Sequence, residues 1–379
     1  MNFLPKQYEN TNKIQINHNY LKKQFKDNKK IFNDIKKVVE DGDFTLGKTV
    51  DEFEEKFSEV QGVKYSIGVG SGTDAIFLSL IAAGIEKDDE VITTPFTFYA
   101  TVGAIVTAGA KPVFVDAGED YNIDVTKIEE AITNRTKAIL PVHWSGKICN
   151  MQEIKRIAKK YNLMIIEDAC HAIKATYNGS PAGGFGVAGA FSMHPLKNLN
   201  IWGDGGVICT NNKKFMQKLK LMRNHGLINR DTCKIFGYNS RLDTIQAVVA
   251  KHMLKKIDFI TNSRIQNSQY LDNHFSEIPQ IIIPKRNCEN IKQVFHIYSV
   301  KCKNRDKLQK FLIKNDIDAK IHYPVPMHLQ PAARYLGYKK GDFPISENLS
   351  KTTISFPVHE FISKTELKKI VSTVKNFYK

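Results

Sequence analysis

The sequence predicts an α/β fold, with a mostly parallel sheet covered by helices on both faces. Three observations carry that reading. From about residue 64 to residue 210, short apolar runs alternate with stretches of helical periodicity, the pattern of repeated strand–helix units. The apolar runs are nearly continuous, as strands buried on both sides require. Glycines stand at the ends of several helical stretches, where a helix most easily stops.

The elements follow in order. YSIGVGSG reads as a strand ending in a glycine turn. TDAIFLSLIAAG has apolar residues at helical spacing and stops at Gly84, a suitable C-terminal cap. DEVITTP is a strand, and TFYATVGAIVTAG is a helix with a glycine stop. KPVFVDA, KAILPVHW, LMIIEDA, AGAFSMH and GGVICTN are further strands, and MQEIKRIAKKYN is a helix joining two of them. After residue 210 the pattern changes: KKFMQKLKLMRNHG is a helix, and Arg241 to about His274 reads as one long helical stretch. A second domain is expected to begin inside that stretch, dividing the chain into a large domain at 13–255 and a smaller α+β domain at 256–379. The smaller part has strands near IIIP and VFHIYSVKC, a helix at RDKLQKFLIKND and a last helix at TELKKIVSTVKNF. The first forty or so residues are expected to pack on it.

A chain of 379 residues is long enough to bury two cores. It contains no run of the roughly 18 apolar residues that a membrane span needs, so no membrane partner is expected. The start, MNFLPKQYENTNKIQ, lacks the apolar region of a secretory signal, and the expected compartment is the cytoplasm. The six cysteines (Cys149, Cys170, Cys209, Cys233, Cys288, Cys302) have no metal-like or CxxC spacing. Reduced thiols and no metal site are the expectation. The net charge of +16 raises the question of nucleic acid. However, the paired lysines (Lys22-Lys23, Lys29-Lys30, Lys36-Lys37, Lys339-Lys340) are scattered as solvated faces. No aromatic-interleaved basic strip or nucleic-acid module accompanies them, so nucleic acid is not an expected partner. A phosphate-bearing small molecule accounts for part of the excess equally well.

Four features carry chemistry. The first is SGTDA, Ser71 to Ala75, a strand-to-helix turn. Small residues there leave backbone N–H groups free at a helix N-terminus to hold a phosphate, and Thr73 adds a hydroxyl. Alone, the same residues also describe an ordinary capped turn. The second is Phe96-Thr97-Phe98, where a ring at the edge of a strand can stack on a flat cofactor or simply pack in a core. The third is LMIIEDACHA, a buried strand ending in Asp168 with His171 three residues on. A carboxylate in that place needs a partner; a protonated pyridine nitrogen is one, and a helix N-terminus is another. The fourth is AFSMHPLKNLNIWGDGGVICTN, which places Lys197 between two strands, with Ser192 before it and Gly203, Gly205 and Gly206 after it. An imine-forming lysine has to shed its proton, which a partly desolvated site promotes.

Together these residues resemble the DegT/DnrJ/EryC1/StrS sugar aminotransferases, which have the aspartate-aminotransferase (type I) fold. The resemblance runs from FTLGKTVDEFEEKF at 44–57 through SGTDAI, TTPFTFYAT, PVFVDA, EDACHA, SMHPLKNL, GDGG, RNHG and GYNSRLD to HYPVPMHLQPAARYLGYKKGDFP at 322–344. It implies pyridoxal 5'-phosphate as cofactor, passing through pyridoxamine phosphate during turnover. Lys197 is then the Schiff-base lysine that also moves the proton. Asp168 pairs with the pyridinium nitrogen, His171 lies near the ring's phenolic oxygen, and Phe98 stacks on the ring. Gly72, Thr73 and Ser192 hold the phosphate, and Asn239 reaches it from the other subunit of a homodimer. Some members carry histidine in place of the lysine and run a dehydration; Lys197 favours transamination. Met193-His194-Pro195-Leu196 and Asn200-Ile201-Trp202 depart from the small, glycine-containing versions of this stretch.

The resemblance further implies L-glutamate as donor, 2-oxoglutarate as its product, and a nucleotide-linked keto sugar as acceptor. Arg223, Arg241, Lys320 and His322 are candidate contacts to the sugar diphosphate, and Tyr323 and His328 lie in the same C-terminal block. That block looks like those of members acting on 3-keto sugars, so a dTDP-3-keto-6-deoxyhexose leads. A 4-keto sugar or a UDP-sugar is the nearest alternative. A non-catalytic regulator that binds the cofactor or a sugar nucleotide is the alternative of another class.

Overall fold

The computed structural model describes residues 14–286 and 290–379. A single turn, α1 (Leu21–Gln24), leads into α2 (Lys29–Asp41) and α3 (Lys48–Gln61). The α/β portion then runs β1 (Tyr65–Val69), α4 (Gly72–Ala82), β2 (Glu90–Thr93), α5 (Tyr99–Thr107), β3 (Lys111–Phe114), β4 (Thr136–Ile139), α6 (Met151–Tyr161) and β5 (Met164–Asp168). A small hairpin of β6 (Thr176–Tyr177) and β7 (Ser180–Pro181) precedes β8 (Ala188–Ser192), β9 (Gly206–Thr210) and α7 (Lys213–Met222). The remainder is α8 (Thr244–Leu254), α9 (Ile257–Phe275), β10 (Ile281–Ile282), β11 (Ile291–Lys292), β12 (Tyr298–Cys302), α10 (Arg305–Lys314), α11 (Pro344–Thr352), β13 (Thr353–Phe356) and α12 (Lys364–Tyr378).

The main sheet has seven strands in the order β1-β9-β8-β5-β4-β2-β3. Its pairs are parallel except those made by β9, which runs against both β1 and β8. Thus β1, β2, β5 and β8 all end at one edge of the sheet, where open α/β sheets place their ligands. Asp168 and Ser192 are the last residues of β5 and β8. Apolar side chains cover both faces. Ile92, Ile139, Phe191 and Val207 belong to a core that includes residues of α3, α6 and α8. Ile67, Val91, Ala138, Ile166 and Ile208 belong to a second, built with α4, α5 and α7. A third core joins β12, β13, α10 and α12, and pairs with a three-stranded sheet of order β10-β12-β13.

Three points differ from the sequence reading. The long helical stretch is two helices, broken at Lys255-Lys256. Ile257 and Ile260 still pack with the first core, whereas Leu271 and Phe275 join the third, so α9 spans both. Residues 1–13 lie outside the described residues, and the rest of the first forty divide as well: Ile16 lies in the C-terminal core, but Ile31 and Val38 of α2 pack on the large one. The apolar stripe of α2 meets α8, and burying that stripe outweighs proximity in sequence. Finally, β13 and α11 were not expected from the pattern; TISF is too short a run to declare itself.

Candidate active site

Lys197 lies in the crossover between β8 and β9. That loop is packed rather than loose: Met193, Asn198, Leu199, Asn200 and Ile201 are buried. The amide of Met193 donates to the Gly205 carbonyl at 2.8 Å, and Ile201 donates to the Met193 carbonyl at 3.1 Å. Asn200 Nδ2 donates to the Pro195 carbonyl at 2.6 Å and to Gln24 Oε1 at 2.8 Å. A Cβ at Gly205 would sit 2.5 Å from Ile201 Cδ1 and 3.0 Å from Leu242 Cδ1, so a side chain there would have to push these side-chain ends aside. Burial lowers the pKa of the Lys197 ammonium, while Cys170 and Asp168 nearby pull the other way. A lysine so placed is disposed to supply the neutral amine that attacks a carbonyl.

Asp168 ends β5 and is buried. Its Oδ2 accepts from Thr101 Oγ1 at 2.7 Å, and Thr101 is itself bonded to Thr97 across 2.8 Å. Its Oδ1 accepts from the Cys170 amide at 3.2 Å. The carboxylate is therefore oriented from two sides, with lone pairs to spare for a cationic ligand. His171 follows one turn later. The Ser145 amide donates to its Nδ1 at 3.3 Å, which assigns the ring proton to Nε2. Burial and the charge of Lys197 push the His171 pKa well below its ordinary value. The ring is a neutral donor through Nε2.

The turn from β1 into α4 supplies an anion cradle. Ser71 caps the helix, its Oγ accepting from the Asp74 amide at 3.0 Å. That leaves the first amides of α4 and the exposed Thr73 at the sheet edge. A Cβ at Gly72 would meet Ser192 Cβ at 2.6 Å and Cys170 Sγ at 3.2 Å. Gly72, Ser192 and Cys170 are thus in contact distance, and the missing side chain keeps backbone amides accessible. An aromatic wall completes the cleft. Phe98, the residue before α5, is 49% exposed although it belongs to an apolar segment. Tyr323 packs edge-on to Phe96 at 5.6 Å and lies 6.4 Å from Phe98. Its φ of 55° is a left-handed backbone conformation, rare for an aromatic residue.

Similarity to known proteins matches this arrangement. The model of the DegT/DnrJ/EryC1/StrS aminotransferase family covers residues 26–375. The chain belongs to that family. A dTDP-3-amino-3,6-dideoxy-alpha-D-galactopyranose transaminase of Aneurinibacillus thermoaerophilus is 39% identical, covering 92% of this chain and 95% of the relative. A protein of Geobacillus stearothermophilus named a pleiotropic regulatory protein is 38% identical, covering 91% and 93%. Among solved structures, S. venezuelae DesV in complex with a ketimine intermediate superposes with a TM-score of 0.93 at 31% identity, covering 96% of this chain and 98% of that one.

As a DegT/DnrJ/EryC1/StrS member, the chain is an aminotransferase that uses pyridoxal phosphate. Its residues fit that cofactor. A buried carboxylate awaits a cation, an amine of lowered pKa stands beside it, and a cradle that no Cβ can enter lies at a helix N-terminus. Gly72, Thr73 and Ser192 would hold the phosphate, Asp168 the ring nitrogen, His171 the phenolic oxygen and Phe98 the ring face. Lys197 would hold the carbonyl carbon.

The structure sorts the remaining candidates of this family member. Tyr323 and His322 stand by the site: His322 acts electrostatically on His171, and Tyr323 feels Asp168 and Cys170. His322 Nδ1 is bonded to Ser355 Oγ at 2.8 Å, and its pKa falls to about 3 through burial. Lys320 is half-exposed and pairs with Asp318 at 2.8 Å. Arg241 is partly exposed and touches Asn224 Oδ1 at 3.3 Å. Asn239 is exposed on its own subunit, in a bridge with Asn224. Two candidates are not offered to a substrate. Arg223 is buried in a pair with Glu54 and donates to the Gly68 carbonyl at 2.7 Å. His328 is buried, bonded to Glu347 at 3.2 Å and packed against Phe343. Both brace the scaffold: a cation or imidazole in a suggestive motif was read as available when tertiary partners had already claimed it. Conversely, Thr101, Ser145 and His296 escaped the sequence reading. Thr97 and Thr101, four apart at the start of a helix, were the only signal for the first. Ser145 and His296 come from distant segments and left none.

Proposed function

We propose that the protein transfers the amino group of L-glutamate to a nucleotide-linked keto sugar, and that the sugar is a dTDP-3-keto-6-deoxyhexose aminated at carbon 3. The observation that carries the transfer is the meeting of Lys197, Asp168 and His171 at one edge of the sheet, with the Gly72 cradle beside them. The choice of sugar is supported by the relative named for a dTDP-3-amino sugar, at 39% identity.

When bound, pyridoxal phosphate would supply the carbonyl that carries the amine and the electron sink for a breaking C–H bond. The protein does the rest. Lys197 Nζ takes the proton from donor carbon and delivers it to acceptor carbon. Asp168, held by Thr101, keeps the ring nitrogen protonated. Tyr323 and Phe98 wall off one side of the cleft and exclude water. His322, Lys320 and Arg241 are the remaining candidates for the sugar and its diphosphate; Arg241 and Lys320 are the cations among them.

The working unit in this reading is a homodimer in which Asn239 of the partner subunit reaches the cofactor phosphate. The segment around Asn239 supports that role: Phe236 is 99% exposed, and Ile228 and Tyr238 are 55% and 41% exposed. Apolar side chains gathered on one loop are the mark of a surface that meets another protein. No helix among the described residues is long and apolar enough to cross a membrane, and we place the reaction in the cytoplasm.

The test is a product assay. Purified protein, pyridoxal phosphate and L-glutamate are incubated with dTDP- and UDP-linked 3-keto and 4-keto sugars, and mass spectrometry and NMR locate the new amine. An amine at carbon 3 of a dTDP sugar is expected. An amine at carbon 4, or on a UDP sugar alone, replaces the substrate but keeps the reaction. Absence of any conversion, including that of pyridoxal phosphate to pyridoxamine phosphate by glutamate, would favour a regulator, as the name of the Geobacillus relative suggests for that protein.

A further inference from the structure

A strap from the C-terminal part of the chain, Gln293 to Ile297, crosses the site between β11 and β12 and is tied down on three sides. The Val294 and His296 amides donate to the carbonyls of Gly146 and Ser145 at 3.1 and 3.2 Å. Ser145 Oγ donates to the Ile297 carbonyl. Asn198 Nδ2, next in sequence to Lys197, donates to the Val294 carbonyl at 3.2 Å. From α9, Arg264 Nη1 donates to the carbonyls of Phe295 and His296 at 3.3 and 3.2 Å. The fit is close enough to force unusual backbone: Ser145 and Phe295 have φ of 59° and 48°. A Cβ at Gly146 would lie 2.5 Å from Val294 Cγ2 and 2.7 Å from the His171 carbonyl. Conformations of that kind are strained and persist where the surroundings over-determine them.

The strap delivers the His296 ring to His171, with centroids 4.4 Å apart and planes tilted by 41°. His296 also lines the small cavity behind Lys197, together with Asn198, Cys170 and Ser192. No described residue hydrogen-bonds His296 Nδ1, although that atom is sealed from solvent. The charged and titratable groups facing the ring are Lys197, His171, Arg264 and His322, and burial ahead of these keeps it neutral. Among the described residues, the Ser145 amide meets the His171 ring at Nδ1 and the His296 ring packs against it.

We propose that His296 is a positioning residue: its ring clamps His171 so that the Nε2–H stays aimed at the phenolic oxygen of the cofactor. The clamp rests on reading this site as the pyridoxal phosphate site. It also makes the C-terminal part of the chain a direct structural support of the cofactor's electronic environment, because His296 belongs to the strap and His171 to the large sheet. A donor beside the phenolic oxygen withdraws its negative charge, so loosening the clamp raises the pH at which the bound cofactor's visible absorbance titrates.

The experiment uses the holoprotein and compares wild type with His296→Ala, His296→Phe, His171→Ala and the His171→Ala/His296→Ala double variant. The readouts are the pH midpoint of the absorbance change and the melting temperature. His296→Ala is expected to raise the midpoint by about one unit, the scale of one hydrogen bond. His171→Ala should raise it as far, and the double variant no further. His296→Phe, which keeps a ring in the same place, should retain the wild-type midpoint. The proposal is overturned if His296→Ala lowers only the melting temperature, if the two shifts add in the double variant, or if His296→Phe behaves as His296→Ala. Wild-type protein that takes up no absorbing cofactor would instead defeat the reading of the site itself.

Discussion

Thr101 Oγ1 donates to Asp168 Oδ2 across 2.7 Å, and the bond joins the first turn of α5 to the end of β5. It fixes the carboxylate that, in the proposed reading, faces the cofactor's ring nitrogen. Thr101→Val removes the donor and leaves the shape. Cofactor affinity is expected to fall about tenfold, in line with a hydrogen bond to a charged group, and Thr101→Ser is expected to recover most of it. Fluorescence titration of apoprotein with pyridoxal phosphate measures both.

Lys197→Ala is expected to abolish transamination, a loss of at least about 10²–10⁴-fold from the proton transfers alone. Circular dichroism should remain that of a folded protein, because the loop is held by Met193, Asn200 and Gly205 rather than by the lysine. Retained turnover in a single-turnover assay would remove Lys197 from the chemistry.

Arg223 and Glu54 form a buried pair, with Glu54 Oε1 also accepting from the Gly68 amide at 2.8 Å. Arg223→Ala leaves that carboxylate buried, with the Gly68 amide and the partly exposed Lys220 at 3.3 Å to answer it. Urea unfolding should show a loss of about 3 kcal/mol. The KM for the sugar nucleotide, measured on the folded fraction, should stay within about twofold of wild type, the range of a remote change. A selective rise in KM would return Arg223 to the substrate site.

Buried histidines make the fold sensitive to acid. Burial lowers the pKa values of His18, His322 and His359 from 6.5 to about 4, 3 and 3. Above pH 6.5 these rings are neutral in both the folded and the unfolded chain. As the pH falls below 6.5 the unfolded chain takes up protons that the folded chain refuses, so stability declines down to about pH 3–4. Melting temperatures measured from pH 7 to pH 4 should fall steadily, and His359→Phe, which keeps the stack on Tyr20, should flatten the decline.

If the protein works as the proposed dimer, Asn239→Ala should weaken retention of the cofactor. Mixed with Lys197→Ala subunits, it should recover part of the lost activity, since one site in each mixed dimer then has both residues intact. Failure to recover any activity under conditions that exchange subunits would count against a shared site.

The α/β class and the order of strands and helices in the large portion were legible in the sequence, and so were the segments that bring Asp168, His171 and Lys197 together at one edge of the sheet. Each rests on short-range information. Strands buried on both faces need continuous apolar runs, and a phosphate turn needs small residues between a strand and a helix. Asp168, His171 and Lys197 sit within recognisable local motifs for the same reason. Which groups remain free to act was decided by tertiary packing. Arg223 and His328 have the same side chains as the useful cations and imidazoles of the site, but Glu54 and Glu347 claim them from distant segments. Thr101, Ser145 and His296 acquire their roles only when α5, the Trp144–Gly146 turn and the strap are brought against β5. The division of residues 14–40 between two cores, and the break in the long helix at Lys255-Lys256, follow the same rule. Local periodicity states that a helix has an apolar face; the partner that buries that face is chosen by the whole fold.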